Sequence, residues 1–140
     1  MGYSAVIWKR ASEILPHGKL FGDQGPQPTD IRHGNLTSGY LLTVLSTMAA
    51  KPGAKIEELF EFKETNKAGI YLVYFYVNGV KKPVIVDDML PVWSSTMQLV
   101  FGSATDDSLW VPLLEKAWAK LHSTYFRSVH NTPQFAMSHL

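Results

Sequence analysis

The sequence predicts an α+β fold: a central helix buried on most sides, a small antiparallel sheet packed with it, and a C-terminal amphipathic helix. Three observations carry this prediction. Leu41, Leu42, Leu45, Met48 and Ala49 recur at helical spacing and cover much of a helix's circumference. Two runs of β-branched and aromatic residues, 70–77 and 80–86, flank Asn78-Gly79, and such a pair favours a type I′ turn because both residues tolerate positive φ. Leu113, Leu114, Ala117, Trp118 and Leu121 form one apolar face, with Glu115, Lys116 and Lys120 placed off it.

Taken in order, residues 8–15 form a short amphipathic segment that stops before Pro16 and Gly18, and it reads as one or two helical turns with Trp8 and Ile14 or Leu15 packing inward. Residues 22–29 are rich in Gly and Pro and read as an ordered loop. The stretch Asp30-Ile31-Arg32-His33-Gly34 then leads to Thr37 and Ser38, whose hydroxyls can cap the free amides of a first helical turn. The central helix follows from near Gly39 to about Ala50, its positive end aimed back at the loop. Lys51-Pro52-Gly53 stops it, and Ile56, Leu59 and Phe60 mark a short second helix.

After the hairpin, Pro83 cannot donate to a ladder and is expected at an edge or bulge. Asp87-Asp88-Met89-Leu90-Pro91 ends the second strand. Adjacent acids there could ligate a metal, but a turn whose carboxylates accept backbone hydrogen bonds is the simpler reading. The last helix is expected over 109–125, with Asp106, Asp107 and Ser108 supplying caps and negative charge, and with Pro112 tolerated in the first turn. The central helix is expected to pack on the hairpin.

Composition narrows the chemistry. A chain of 140 residues with 46% hydrophobic and 18% charged residues fits one globular domain with a real core. A formal charge of +1, with no basic run, argues against nucleic acid as a partner. No apolar stretch reaches the roughly 18 residues that span a bilayer, and neither a signal peptide nor a myristoylation signal is visible at Met1-Gly2, so no membrane association is expected. Cysteine is absent, which excludes disulfides, thiolate metal sites and thiol catalysis by this chain. His17, His33, His122, His130 and His139 lack the short spacing of a helix-borne metal site and read as surface or capping residues. No metal or other cofactor is expected.

Several separated blocks resemble the calpain-type cysteine proteases, over roughly residues 8–130. His33-Gly34-Asn35-Leu36-Thr37-Ser38-Gly39-Tyr40-Leu41-Leu42 is similar to the Gln-Gly-x-Leu-Gly-Asp-Cys-Trp-Leu-Leu that opens the family's catalytic helix. Asp87-Asp88-Met89-Leu90-Pro91 resembles its Asp-Asp-x-Leu-Pro turn, and residues 113–121 resemble its Leu-Leu-Glu-Lys-Ala-Tyr-Ala-Lys-Leu helix. Trp110 and Tyr125 fall on family aromatics, while Ala11 stands where the family's Trp-x-Arg-Pro has its proline. The resemblance implies the first subdomain of a papain-like protease core, occupying residues 1–140.

It also implies a lost active site. The nucleophile position falls on Gly39 and the oxyanion-hole glutamine on His33, and the catalytic His and Asn belong to a second subdomain not expected in this chain. Ser38 is one position off, so serine catalysis is not expected. The family's calcium site uses loop groups near Gly25 and Asp30, which are kept as degenerate candidates, and a Glu that falls on Ser108, where Asp106 or Asp107 could partly substitute. The expectation is a catalytically inactive module that binds protein partners in the cytoplasm. The resemblance further implies a cytoskeletal or axonemal assembly of a cilium or flagellum. A half-protease or peptide-binding decoy that needs a partner subdomain is the alternative.

Overall fold

Strand β1 (Val6–Arg10) runs directly into a one-turn helix α1 (Ala11–Ile14). This is a computed structural model, and it describes residues 5–34, 39–51, 55–128 and 131–140. The sequence pattern expected helix across 8–15, but the first half of that segment is strand. Its backbone pairs antiparallel with β5 (Met89–Trp93), with Trp8 opposite Pro91 and Arg10 opposite Met89. An amphipathic stretch this short fits either state, and pairing with a distant strand decides between them. Helix begins only at Ala11, where the Arg10 amide donates to Glu13 Oε2 at 2.8 Å. Trp8 is 47% exposed rather than packed inward, while Ile14 and Leu15 do rest on the core.

A 3-10 turn at Pro28–Asp30 and the two-residue strand β2 (Ile31–Arg32) lead toward helix α2 (Gly39–Ala49). Leu41, Leu42, Val44 and Leu45 are buried, as the periodicity requires. The cap residues Thr37 and Ser38, and Pro52-Gly53 beyond the helix, lie outside the described residues. The second helical turn is 3-10 (Glu57–Leu59), and Ile56, Leu59 and Phe60 are all buried.

Strands β3 (Ile70–Val77) and β4 (Val80–Asp87) form the expected hairpin, with φ of 51° at Asn78 and 76° at Gly79. Pro83 sits opposite Tyr74, three pairs along from the Val77–Val80 closure and so at a non-hydrogen-bonded position, where its missing N–H points off the open edge of the pair. The acids after β4 do not simply end the sheet. Asp88 turns the chain, and Met89–Trp93 becomes β5. Strand β6 (Ser103–Ala104) pairs with β2.

Helix α3 spans Trp110–Leu121, shorter than expected, because Ser123 takes a φ of 79° and breaks the helix before α4 (Tyr125–Ser128). Helix α5 (Pro133–Met137) closes the described chain. Pro112 sits in the first turn of α3 as expected, but the helix is capped at Leu109 with no side-chain hydrogen bond from Asp106, Asp107 or Ser108. Asp106 instead accepts from the Ser108 amide at 3.0 Å.

Two packing expectations change. Helix α2 lies mainly against α5 and the Pro28–Asp30 turn, whereas the hairpin takes α3 as its principal neighbour. The reason is visible in the side chains: Phe75 on the hairpin's inner face meets Trp118 edge-on at 5.5 Å. Glu115, placed off the apolar face by pattern, is only 1% exposed, and its Oε1 accepts from the Gly102 amide at 2.7 Å. Helix α3 is thus buried nearly all round, and its one inward acid satisfies a backbone donor from the 102 loop.

Candidate functional site

Gly39 is the first described residue of α2, and a Cβ built on it would meet no atom of the described residues beyond its own helix within 4 Å. The residue to which the resemblance assigns the lost nucleophile therefore opens onto space. The next residue, Tyr40, is tied inward. Its hydroxyl donates to the Ser128 carbonyl at 2.5 Å and accepts from Trp118 Nε1 at 2.8 Å. Burial raises its pKa, the Trp118 hydrogen bond works against that rise, and the nearby Glu115 adds to it. A half-buried phenol that both donates and accepts fastens α2 to α3 and α4.

His33 stays exposed, on the wall of a cleft of about 380 Å³. Arg32, Trp93, Leu99, Phe101 and Asp107 also line it, so two distant stretches meet here through the β2–β6 pairing. Gly39 is not among the lining residues of this cleft. Gly34 lies at the junction, with the Phe101 backbone closed directly over it.

The calcium candidates are separate. Gly25 lies beside Glu57, in a loop facing the C-terminal end of α2. Asp30 is 7% exposed and accepts from the Gln27 amide through Oδ2 at 2.8 Å. Burial raises its pKa, the Gln27 amide opposes this, and the neighbouring Asp106 carboxylate raises it further. Ser108 is buried, with its Oγ unpartnered among the described residues. No cluster of three or more metal-binding side chains occurs among the described residues. Asp87 and Asp88 serve as turn acids: Asp87 Oδ1 accepts from the Met89 amide at 3.0 Å and pairs with Lys116, and Asp88 pairs with Arg10.

These features agree with what comparison with known proteins finds. The model of the calpain family of cysteine proteases matches residues 2–140. The chain belongs to the calpain family. It is 34% identical over 124 residues to a calpain of Schistosoma mansoni, which covers 86% of this chain and 16% of that protein. It is 34% identical over 98 residues to the calpain-type cysteine protease DEK1 of Arabidopsis thaliana, covering 70% of this chain and 4% of that protein. To calpain-8 of Rattus norvegicus it is 32% identical over 122 residues, covering 86% of this chain and 17% of that protein. The chain thus spans less than a fifth of the length of these relatives.

This calpain-family chain holds no cysteine at all. Its fold is the mixed α+β arrangement with small antiparallel sheets described above. No helix among the described residues is long and apolar enough to cross a membrane. One grouping escaped the sequence reading, an aromatic cluster of Trp118, His122, Phe135 and His139. His122 is half-buried there, not a surface residue. Its signal was present in Thr132-Pro133, an N-cap followed by a first-turn proline, and Thr132 does accept from the Phe135 amide at 3.3 Å.

Proposed function

We propose that this calpain-family domain is catalytically inactive and works as a protein-binding module. The observation that carries the first half is the absence of cysteine from the whole chain. A thiolate is the family's nucleophile, and loss of a triad nucleophile lowers turnover by about a millionfold. Gly39, aligned with that nucleophile, offers no side chain in its place.

The binding half rests on the hairpin. Its outer face leaves Ile70 51%, Ile85 57% and Tyr76 38% exposed, and Phe62 nearby is 52% exposed. Contiguous exposed apolar side chains are costly for a solitary domain and mark interaction surfaces. The cleft at His33 lends support to a second reading, a decoy that holds a peptide without cutting it.

Purified protein incubated with calcium and a fluorogenic peptide substrate should give no turnover above buffer. The Gly39→Cys variant should react with a thiol reagent at the rate of an ordinary exposed cysteine, again without peptide turnover. Turnover by the unmodified chain would end the inactive reading. Ile70→Asp with Ile85→Asp should abolish partner binding if the hairpin face is the interface. Binding that survives this pair but is lost on His33→Trp would favour the decoy.

A further inference from the structure

Two histidines far apart in sequence meet where the C-terminal helix docks. The His122 ring lies 6.0 Å from that of His139, centroid to centroid. Both press on Trp118, at 4.5 Å and 5.4 Å, and both touch Phe135 of α5, at 5.4 Å and 4.7 Å. His122 Nε2 is buried and has no hydrogen-bond partner among the described residues. His139 Nδ1 lies 2.9 Å from the Phe135 carbonyl and 2.9 Å from Ser138 Oγ, which holds the ring against α5. The His139 carbonyl in turn accepts from the Tyr76 amide at 2.7 Å, stitching the chain's end to the outer edge of β3.

We propose that α5 is an acid-released latch: protonation of His122, packed against Trp118, Phe135 and His139, undocks residues 131–140 from Trp118 and α2, while the hairpin and α3 stay folded.

The reason lies in what surrounds the pair. A proton on His122 Nε2 would be a buried donor with nothing to accept it. The His122 ring meets Trp118 edge-on and shares that indole with His139, so the contacts around it are apolar or aromatic and offer no acceptor. Among the described residues, the only charge that acts on His122 is that of His139, which opposes a proton there. From α3, Glu115 directs Oε1 to the Gly102 amide and Lys120 reaches the Ile85 carbonyl. From α2, Tyr40 uses its hydroxyl on Ser128 and Trp118. Arg127 of α4 brings only further positive charge, and β3 brings the Tyr76 backbone. Burial and the His139 charge both hold the His122 pKa below its ordinary value.

The sign follows. His122 is neutral in the docked state and titrates near 6.5 once released, so docking is fully stable above that pH. It weakens as the pH falls toward the lowered value, because the undocked state then binds more protons. Release exposes the α2 flank around Val44 and Met48, and frees the Tyr76 amide on a strand edge. The consequence is an apolar surface and an open β-edge offered for pairing only in acid.

Amide hydrogen exchange of the full chain at pH 7.5 and 5.5, corrected for intrinsic rates, tests this. Residues 131–140 and the Tyr76 amide should exchange about tenfold faster at pH 5.5, the change that one extra bound proton allows over one pH unit below 6.5. Amides of α3 and of the paired positions in β4 should not change. His122→Gln should remove the acid effect, and His139→Gln should reduce it, which keeps the test alive if the first variant does not fold at pH 7.5. Equal exchange at the two pH values in the unmodified chain would overturn the latch. So would an acid rise shared by α3, or one kept in both variants.

Discussion

The Phe101 carbonyl occupies the space that a side chain at position 34 would need. A Cβ built on Gly34 would run into that oxygen and the Val100 oxygen, both backbone atoms that cannot swing aside. Gly34→Ala must therefore push the 100–101 segment away from β2 and strain the β2–β6 pairing that builds the cleft. Overpacking of this kind costs about 1–3 kcal/mol, and a rigid backbone neighbour puts this site toward the upper end. A fall of about 2 kcal/mol should lower the melting temperature by roughly 6–8 °C in a domain of this size, measurable by calorimetry. Gly39 is the opposite case, since a Cβ added there meets no described residue beyond its own helix. Both glycines fall within the segment that resembles the family motif, Gly34 on its glycine and Gly39 on its cysteine. Sequence showed that Gly34 matched, but the reason for a glycine lies in a loop almost seventy residues on, which no local pattern displays.

Elements driven by local signals were legible, and those driven by distant pairing were not. The Asn78-Gly79 turn and the apolar periodicity of α2 gave their boundaries to within a residue or so, because turn chemistry and helical spacing are properties of adjacent residues. Strand β1 was hidden, since only β5, eighty residues away, makes Trp8-Lys9-Arg10 extended. The cleft was illegible for the same reason: His33 was singled out, but its opposing wall from Trp93 to Asp107 is brought to it by tertiary structure. Helix α3 shows the limit of pattern within an element. A glutamate beside a lysine reads as solvent-facing, yet Glu115 is buried because the 102 loop crosses that side of the helix with an amide to satisfy. Glu115→Ala should cost about 3 kcal/mol, combining a cavity with an orphaned Gly102 donor. Glu115→Gln keeps an acceptor of the same size and should cost about 1 kcal/mol. Urea unfolding of the two variants measures the gap, and equal losses would mean that the carboxylate's charge, not its acceptor oxygen, matters most.

At the scale of the whole molecule, the hairpin and α3 are joined by lysines laid along the open edge of β4. Lys120 Nζ donates to the Ile85 carbonyl at 2.6 Å. Lys116 Nζ donates to the carbonyls of Asp87 at 3.1 Å and Met89 at 2.5 Å, and pairs with the Asp87 carboxylate. One ammonium thus ties α3 to the corner where β4 becomes β5, and its side chain is only 16% exposed. These contacts also occupy edge carbonyls that would otherwise invite another strand. Lys116→Met keeps the apolar stem and removes the donor, so two carbonyls and a carboxylate lose their shared partner. Hydrogen bonds from a charged donor contribute about 1.5–3 kcal/mol, and a loss of about 2 kcal/mol at neutral pH is expected. The pH dependence makes the prediction specific. Burial alone would raise the Asp87 pKa, but the Lys116 and Met89 hydrogen bonds and the charges of Lys116 and Arg10 together hold it below the usual carboxylate value. A carboxyl with a depressed folded-state pKa contributes stability above its unfolded value near 3.9, and that contribution disappears as pH falls through the lowered one. The difference between wild type and Lys116→Met should therefore be constant from pH 8 to about 5 and should narrow below pH 4, as Asp87 gains a proton. Guanidinium unfolding at pH 7 and pH 3 measures both ends. A gap as wide at pH 3 as at pH 7 would mean that the two carbonyls hold Lys116 by themselves, and that the Asp87 carboxylate adds nothing to the joint between hairpin and helix.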